Sequence, residues 1–178
     1  MPLLQRLQEI FAPSPPDPAM AALYQACVAQ ARQAKFYRAF GVPDTLDGRY
    51  DLLVLHAYLV MRRLGGDAER KQQLFDLMFT DVDRNLREMG VGDMGIGKRM
   101  KRMISAFYGR GQAYERALAD GGDAGLQDVL ARNIYGKPMP CDDAVRLAAY
   151  VRAAVARLDE QPLADVTAGH IEFPAPQA

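Results

Sequence analysis

Residues 81–110, DVDRNLREMGVGDMGIGKRMKRMISAFYGR, hold the side chains and spacings best suited to chemistry. Four glycines, Gly90, Gly92, Gly95 and Gly97, fall within eight residues, and Lys98 follows them. GVGDMG fits the G-x-G-x-x-G pattern of a dinucleotide loop, and GDMGIGK resembles a phosphate loop. Both loops require a strand before the glycines. A charged helical stretch precedes them here, and Arg99 stands where a phosphate loop needs a hydroxyl to hold magnesium. Neither nucleotide-dependent chemistry is expected. What survives is a helix start near Lys98, whose free amides favour an anion. Asp93 is one candidate, as a local cap. A phosphate, a lipid headgroup or a partner carboxylate is the other.

The carboxylates Asp76, Asp81, Asp83 and Glu88 suggest a metal site, but a helical projection splits them. Asp76 and Asp83 share a flank with Arg87, while Asp81 and Glu88 lie nearer the back. Asp83/Arg87 and Arg84/Glu88 have the i,i+4 spacing of local ion pairs. The chain has two histidines. His56 sits in the middle of an apolar run and reads as a core residue, and His170 lies near the C-terminus. No Ser/His/Asp or Cys/His arrangement presents a nucleophile. The expectation is a protein with no catalytic residue, no metal and no cofactor.

The helix after the glycines is a stronger feature. Met100, Met103, Ile104, Phe107, Tyr114 and Leu118 form one apolar side, and Lys98, Lys101, Arg102 and Arg116 project opposite, with Arg99 and Arg110 at the edge. Such a row is either a solvated face or a docking face for an acidic protein surface, anionic lipid or RNA.

Helices must position these groups. Residues 1–16 read as a short amphipathic helix with a proline-rich linker, PSPPDP, which contacts the parent domain, a membrane or a partner. Asp17 and Pro18 then make an N-cap and first turn, for a helix running to Phe40 with Gly41 just past its end. GVPDTLDG turns at Pro43 and Gly48. Residues 49–64 are apolar nearly all round, as befits a central buried helix. A fourth helix spans about 67–89, with Phe75, Met78, Phe79, Val82, Leu86 and Met89 as its core stripe. The basic helix comes next, and Gly109 and Gly111 inside it require close packing or a kink. A short helix at 126–135 and a long one at 142–160 complete residues 17–161. Residues 162–178 read as a flexible tail. No run alternates as a strand would, so the fold class is all-α, one domain of six or seven helices.

Bulk properties agree with this reading. The 178 residues suit one domain with its own core, and 49% are hydrophobic. Basic and acidic residues number 22 each, which argues against DNA or general nucleic-acid binding but leaves room for a local basic patch. Cys27 and Cys141 have no metal-spaced companions and read as reduced thiols. The longest near-apolar run, 52–61, is about half a bilayer span. No secretory leader pattern opens the sequence. These observations predict a cytoplasmic protein, peripheral on the inner face of the membrane at most.

Several segments carry a resemblance: QARQAKFYRAFGVPDTLDG at 30–48, RYDLLVLHAYLVMRRL at 49–64, FDLMFTDVDRNLREMGVGDMGIGKRMKRM at 75–103 and FYGRGQAYERAL at 107–118. Over about residues 20–158 the chain resembles the ubiquinol–cytochrome c chaperone family, with GVPDT and LREMGVGD the most specific motifs. The resemblance implies an assembly factor for the cytochrome bc1 complex that holds newly made cytochrome b or another bc1 subunit. Mitochondrial members of such a family escort that subunit beside the ribosome with a small partner protein. The transferable positions are Asp44, Thr45, Asp83, Leu86, Arg87, Glu88, Gly90, Gly92, Asp93, Lys98 and Lys101. With Arg102 from the basic face, the polar members form the expected partner-binding set. The alternative is a general helical adaptor that binds RNA or the ribosome through that face. A third reading is an enzyme that takes a phosphate-bearing substrate at the glycine loop.

Overall fold

A computed structural model describes residues 17–90 and 92–177, so the expected helix and linker at 1–16 lie outside the described residues. The described chain forms six long helices and two of five residues, with no strand among them, as the apolar spacing predicts.

The first helix, α1 (Pro18–Ala31), starts as expected: the Asp17 carboxylate accepts from the Ala19 amide at 2.9 Å, and Pro18 fills the first position. It does not run to Phe40. Gln33 is extended at φ −62°, ψ 123°, and α2 (Ala34–Arg38) begins afresh. The break serves burial on two sides. α1 gives Leu23 and Cys27 to one apolar cluster, while Phe36 and Phe40 turn into another against Tyr150. Gly41 ends the turn with φ +63°.

The central helix, α3 (Leu46–Arg63), is capped by Thr45, whose hydroxyl accepts from the Gly48 amide at 3.1 Å. Gly48 was expected to turn the chain before the helix. It lies inside the first helical turn instead, where a Cβ would stand 2.1 Å from the Pro43 carbonyl oxygen. α3 separates the two clusters and is buried on both sides. Leu52, Leu55 and Leu59 enter one, and Val54, Ala57 and Val60 enter the other. A helix apolar all round is what this position demands.

Asp67 caps α4 (Ala68–Glu88), which buries Leu74, Met78, Phe79, Val82 and Leu86. Met89, expected in that stripe, is 50% exposed just past the helix end. α5 (Asp93–Ala119) is one unbroken helix of 27 residues. A Cβ on Gly111 would touch the Tyr58 ring at 3.7 Å, whereas one on Gly109 would meet nothing within 4 Å. α6 (Asp123–Asn133) and α7 (Asp142–Glu160) follow.

Residues 162–178, expected as a flexible tail, fold back onto the domain as far as they are described. α8 (Leu163–Thr167) buries Val166, Gly169 packs so close to α1 that a Cβ there would stand 2.9 Å from the Ala19 backbone, and the Pro174 carbonyl accepts from Gln30 at 2.9 Å. The boundary expected after residue 161 therefore falls inside the folded unit. Composition misled here, because Val166, Ile171 and Phe173 are too few to show as a periodic stripe yet each finds a core neighbour.

His56 is the core residue expected. It is fully buried, with Nδ1 2.8 Å from the Leu52 carbonyl and Nε2 2.8 Å from the Tyr150 hydroxyl. Burial pushes its pKa down to about 4. Cys27 and Cys141 are both free thiols.

Candidate functional site

The GVPDT loop and the basic helix, far apart in sequence, meet across one cleft of about 740 Å³. Thr45 and Tyr50 from the start of α3 form one wall, and Arg99, Arg102 and Arg110 from α5 form another. Arg132 and Tyr135, at the C-terminal end of α6, close the third side. Four guanidiniums thus face two carboxylates, Asp47 and Asp51.

The two acids are already matched. Asp51 pairs with Arg110 at 2.8 Å, with both side chains largely shielded from water. Burial pushes the Asp51 carboxyl up to about 6, against the attraction of Arg110, and Asp47 adds to the rise. Asp47 pairs with Arg99 at 3.3 Å. Among the described residues, Arg102 and Arg132 have no ion-pair partner, and neither do Lys98 and Lys101, which are exposed on the same helix.

A second, more apolar groove of about 320 Å³ adjoins the cleft. Tyr50 and Met103 line both, joined by a hydrogen bond from the tyrosine hydroxyl to the Met103 carbonyl at 3.1 Å. Leu46, Leu53, Leu86 and Met89 line the groove with Glu88. Leu46 and Met89 are 43% and 50% exposed.

The expected partner-binding residues are therefore distributed. Thr45 and Arg102 share the cleft, and Glu88 belongs to the groove. Asp44 pairs with Arg49 at 2.6 Å, and that hydrogen bond holds its carboxyl below the usual range. Asp83 pairs with Arg87 at 2.7 Å on exposed α4 surface, as the i,i+4 spacing predicts. The companion pair Arg84/Glu88 does not form. Arg84 reaches Asp81 instead, one turn toward the N-terminus, where Asp81 also accepts the Tyr24 hydroxyl at 2.7 Å.

The helix start expected near Lys98 lies earlier in the chain. Gly92 is the N-cap of α5, and the Gly95 and Ile96 amides are already bonded to the Gly92 carbonyl. Asp93 opens the helix by its backbone, and its side chain lies outside the described part of the molecule.

Asp51, Arg132 and Tyr135 were not expected in the site. Asp51 sits in an apolar stretch that reads as core. Arg132 and Tyr135 end a short helix with no distinctive spacing, so only tertiary contact reveals them.

Among the described residues, no group of three or more His, Cys, Asp or Glu side chains could hold a metal ion. No described helix is long and apolar enough to cross a membrane. A charged cleft beside an apolar groove can grip another chain by ion pairs and side-chain burial.

An all-helical domain with such a surface is suited to binding another protein. A family model described as ubiquinol-cytochrome C chaperone matches residues 38–173, and the chain belongs to that family. It is a family of chaperones and assembly factors, not of catalysts. The chain is 26% identical to ubiquinol-cytochrome-c reductase complex assembly factor 1 of Xenopus laevis over 144 residues, covering 77% of this chain and 70% of the frog protein. The human protein of that name is 25% identical over 77% of this chain, which spans 47% of the human one. The crystal structure of the Cbp3 homolog from Brucella abortus superposes with a TM-score of 0.81 at 36% identity, covering 97% of this chain and 95% of that one.

Proposed function

We propose that this chain is an assembly factor for a cytochrome bc1 complex. It holds newly made cytochrome b, or another subunit of that complex, without turning over a substrate. It acts from the cytoplasmic side of the membrane that receives the client. The observation that carries the docking surface is the unpaired basic row Lys98, Lys101 and Arg102 on α5, inside the family-matched region. A local positive field on a chain of zero net charge orients an acidic partner without compromising solubility.

The test is capture of the chain from cells making tagged cytochrome b, wild type against a variant with Lys98→Glu, Lys101→Glu and Arg102→Glu. These side chains project from the core, so the variant should fold, and capture should fall and lose its salt dependence. Deleting the gene should lower assembled bc1 while leaving its transcripts unchanged. Equal capture by both proteins removes the basic row as the docking surface. Normal bc1 in the deletion strain overturns the assembly role and favours an adaptor for RNA or the ribosome.

A further inference from the structure

We propose that the arginine cleft receives an acidic, partly apolar segment of a protein partner, whose carboxylates pair with Arg102 and Arg132. The proposal deepens the docking reading above and rests on it for the partner's identity.

The charge arrangement carries the inference. Each carboxylate of the cleft has its own arginine, Asp51 with Arg110 and Asp47 with Arg99. That leaves Arg102 and Arg132, on α5 and α6, lining the same concave surface with no ion-pair partner among the described residues. Two uncompensated guanidiniums on facing elements repel each other, and a carboxylate between them removes that repulsion. The planar fork of a guanidinium matches a carboxylate with two parallel hydrogen bonds. Walls of low polarizability on three sides strengthen such a pair over one on a convex surface.

A second feature points the same way. Close to the cleft, the Tyr114 hydroxyl is fully buried and, among the described residues, has no hydrogen bond of sound geometry. It faces Asn133, which itself lines the cleft, and feels the charges of Arg110 and Asp51. Buried polar groups are rarely left without a partner. Asn133 thus brings a polar side chain into the cleft beside that hydroxyl.

The chemistry favours a peptide over a nucleic acid or a phospholipid headgroup. Asp47, with a side chain 83% exposed, and Asp51 would oppose the continuous charge of a phosphodiester backbone or an anionic lipid surface, whereas carboxylates spaced along a peptide can interleave with them. The cleft's two tyrosines are held by their hydroxyls, Tyr50 on the Met103 carbonyl and Tyr135 on the Phe40 carbonyl at 2.7 Å, so neither swings out to stack a base. Met103, Ala106 and Ile134 between the arginines offer apolar patches for the alternate side chains of an extended segment.

The experiment is fluorescence anisotropy of the full chain with a labelled peptide of alternating glutamate and leucine, and with its glutamine counterpart. The glutamate peptide should bind and weaken with salt, and the glutamine peptide should bind at least about tenfold more weakly. Arg102→Ala and Arg132→Ala should each weaken the glutamate peptide about tenfold. Arg132→Lys should fall between, because it keeps the charge and loses the fork. Arg116→Ala, on α5 but outside the cleft, should leave binding unchanged. Unfolding midpoints by circular dichroism establish that each variant is folded.

Equal binding by Arg132→Ala or by the glutamine peptide overturns the proposal. So does Arg132-dependent binding of phosphatidylglycerol vesicles or of oligouridine that exceeds binding of the peptide. Should the peptide fail while the triple reversal still abolishes capture of cytochrome b, the cleft falls and the docking reading stands. Should the peptide bind through Arg132 while capture ignores the triple reversal, the docking reading falls and the cleft stands.

Discussion

The Tyr150 hydroxyl lies 2.8 Å from Nε2 of His56 and ties α7 to the middle of α3. Nδ1 of the histidine faces a carbonyl, that of Leu52, so it must carry the proton and Nε2 must accept from the tyrosine. Gln30 completes the chain, donating from its amide to the Tyr150 hydroxyl at 2.9 Å and to the Pro174 carbonyl. One network thus joins α1, α3, α7 and the C-terminal segment, and Phe36 and Phe173 pack edge-on against the histidine ring. Tyr150→Phe leaves a buried ring nitrogen without its donor and should cost about 1–3 kcal/mol. Urea unfolding measures this, and a loss within error of zero would show that the network adds nothing.

The pH dependence of stability should reveal two buried groups working against each other. The folded His56 titrates near 4 against an ordinary value of 6.5, so between those values the unfolded chain binds the extra proton. Its contribution is complete above about pH 6.5 and is lost as pH falls toward 4, to a limit of about 3 kcal/mol. Asp51 runs the other way. Its folded carboxyl titrates near 6 against 3.8, so its contribution is present below 3.8 and is lost as pH rises to 6. Asp51→Asn removes the opposing slope. Unfolding free energies at several pH values from 4 to 7 should rise more steeply with pH in this variant than in wild type. Parallel profiles would contradict the assignment, whatever the absolute cost of leaving Arg110 without its partner.

Two glycines inside helices should respond to alanine with opposite signs. Gly109 lies within α5 with nothing within 4 Å of an added Cβ, so Gly109→Ala should stabilise by about 0.5–1 kcal/mol. At Gly48 the same methyl would meet the Pro43 carbonyl at 2.1 Å. Gly48→Ala must displace the GVPDT loop or the first turn of α3 and should cost about 1–3 kcal/mol or more. Thermal unfolding of both variants decides the matter, and equal shifts would mean that the loop yields freely.

Leu55 is fully buried in the cluster shared by α3, α6 and α7. Leu55→Ala should cost about 2–5 kcal/mol in denaturant unfolding. A loss under about 0.5 kcal/mol would be inconsistent with a close-packed central helix.

The sequence by itself determined the helices whose burial is periodic or complete. Residues 142–160 match α7 (Asp142–Glu160) end to end, because a single apolar face recurs every turn and a polar first turn marks its start. The apolar run around His56 determined the central helix, since no face of it suits water. The family motifs GVPDT and LREMGVGD were legible as well. The break at Gln33, the anchoring of Phe173 and the early start of α5 were decided only by tertiary structure. In each case local preference is weak, and the choice falls to which distant surface needs covering.

The same holds for the site. Lys98, Lys101 and Arg102 could be read from helical spacing, which is a local property of one element. Their relation to Thr45, Asp51 and Arg132 could not, because it arises from the packing of α3, α5 and α6. Whether a charged side chain is paired depends on which other chain segment faces it, and only the folded structure brings those segments together.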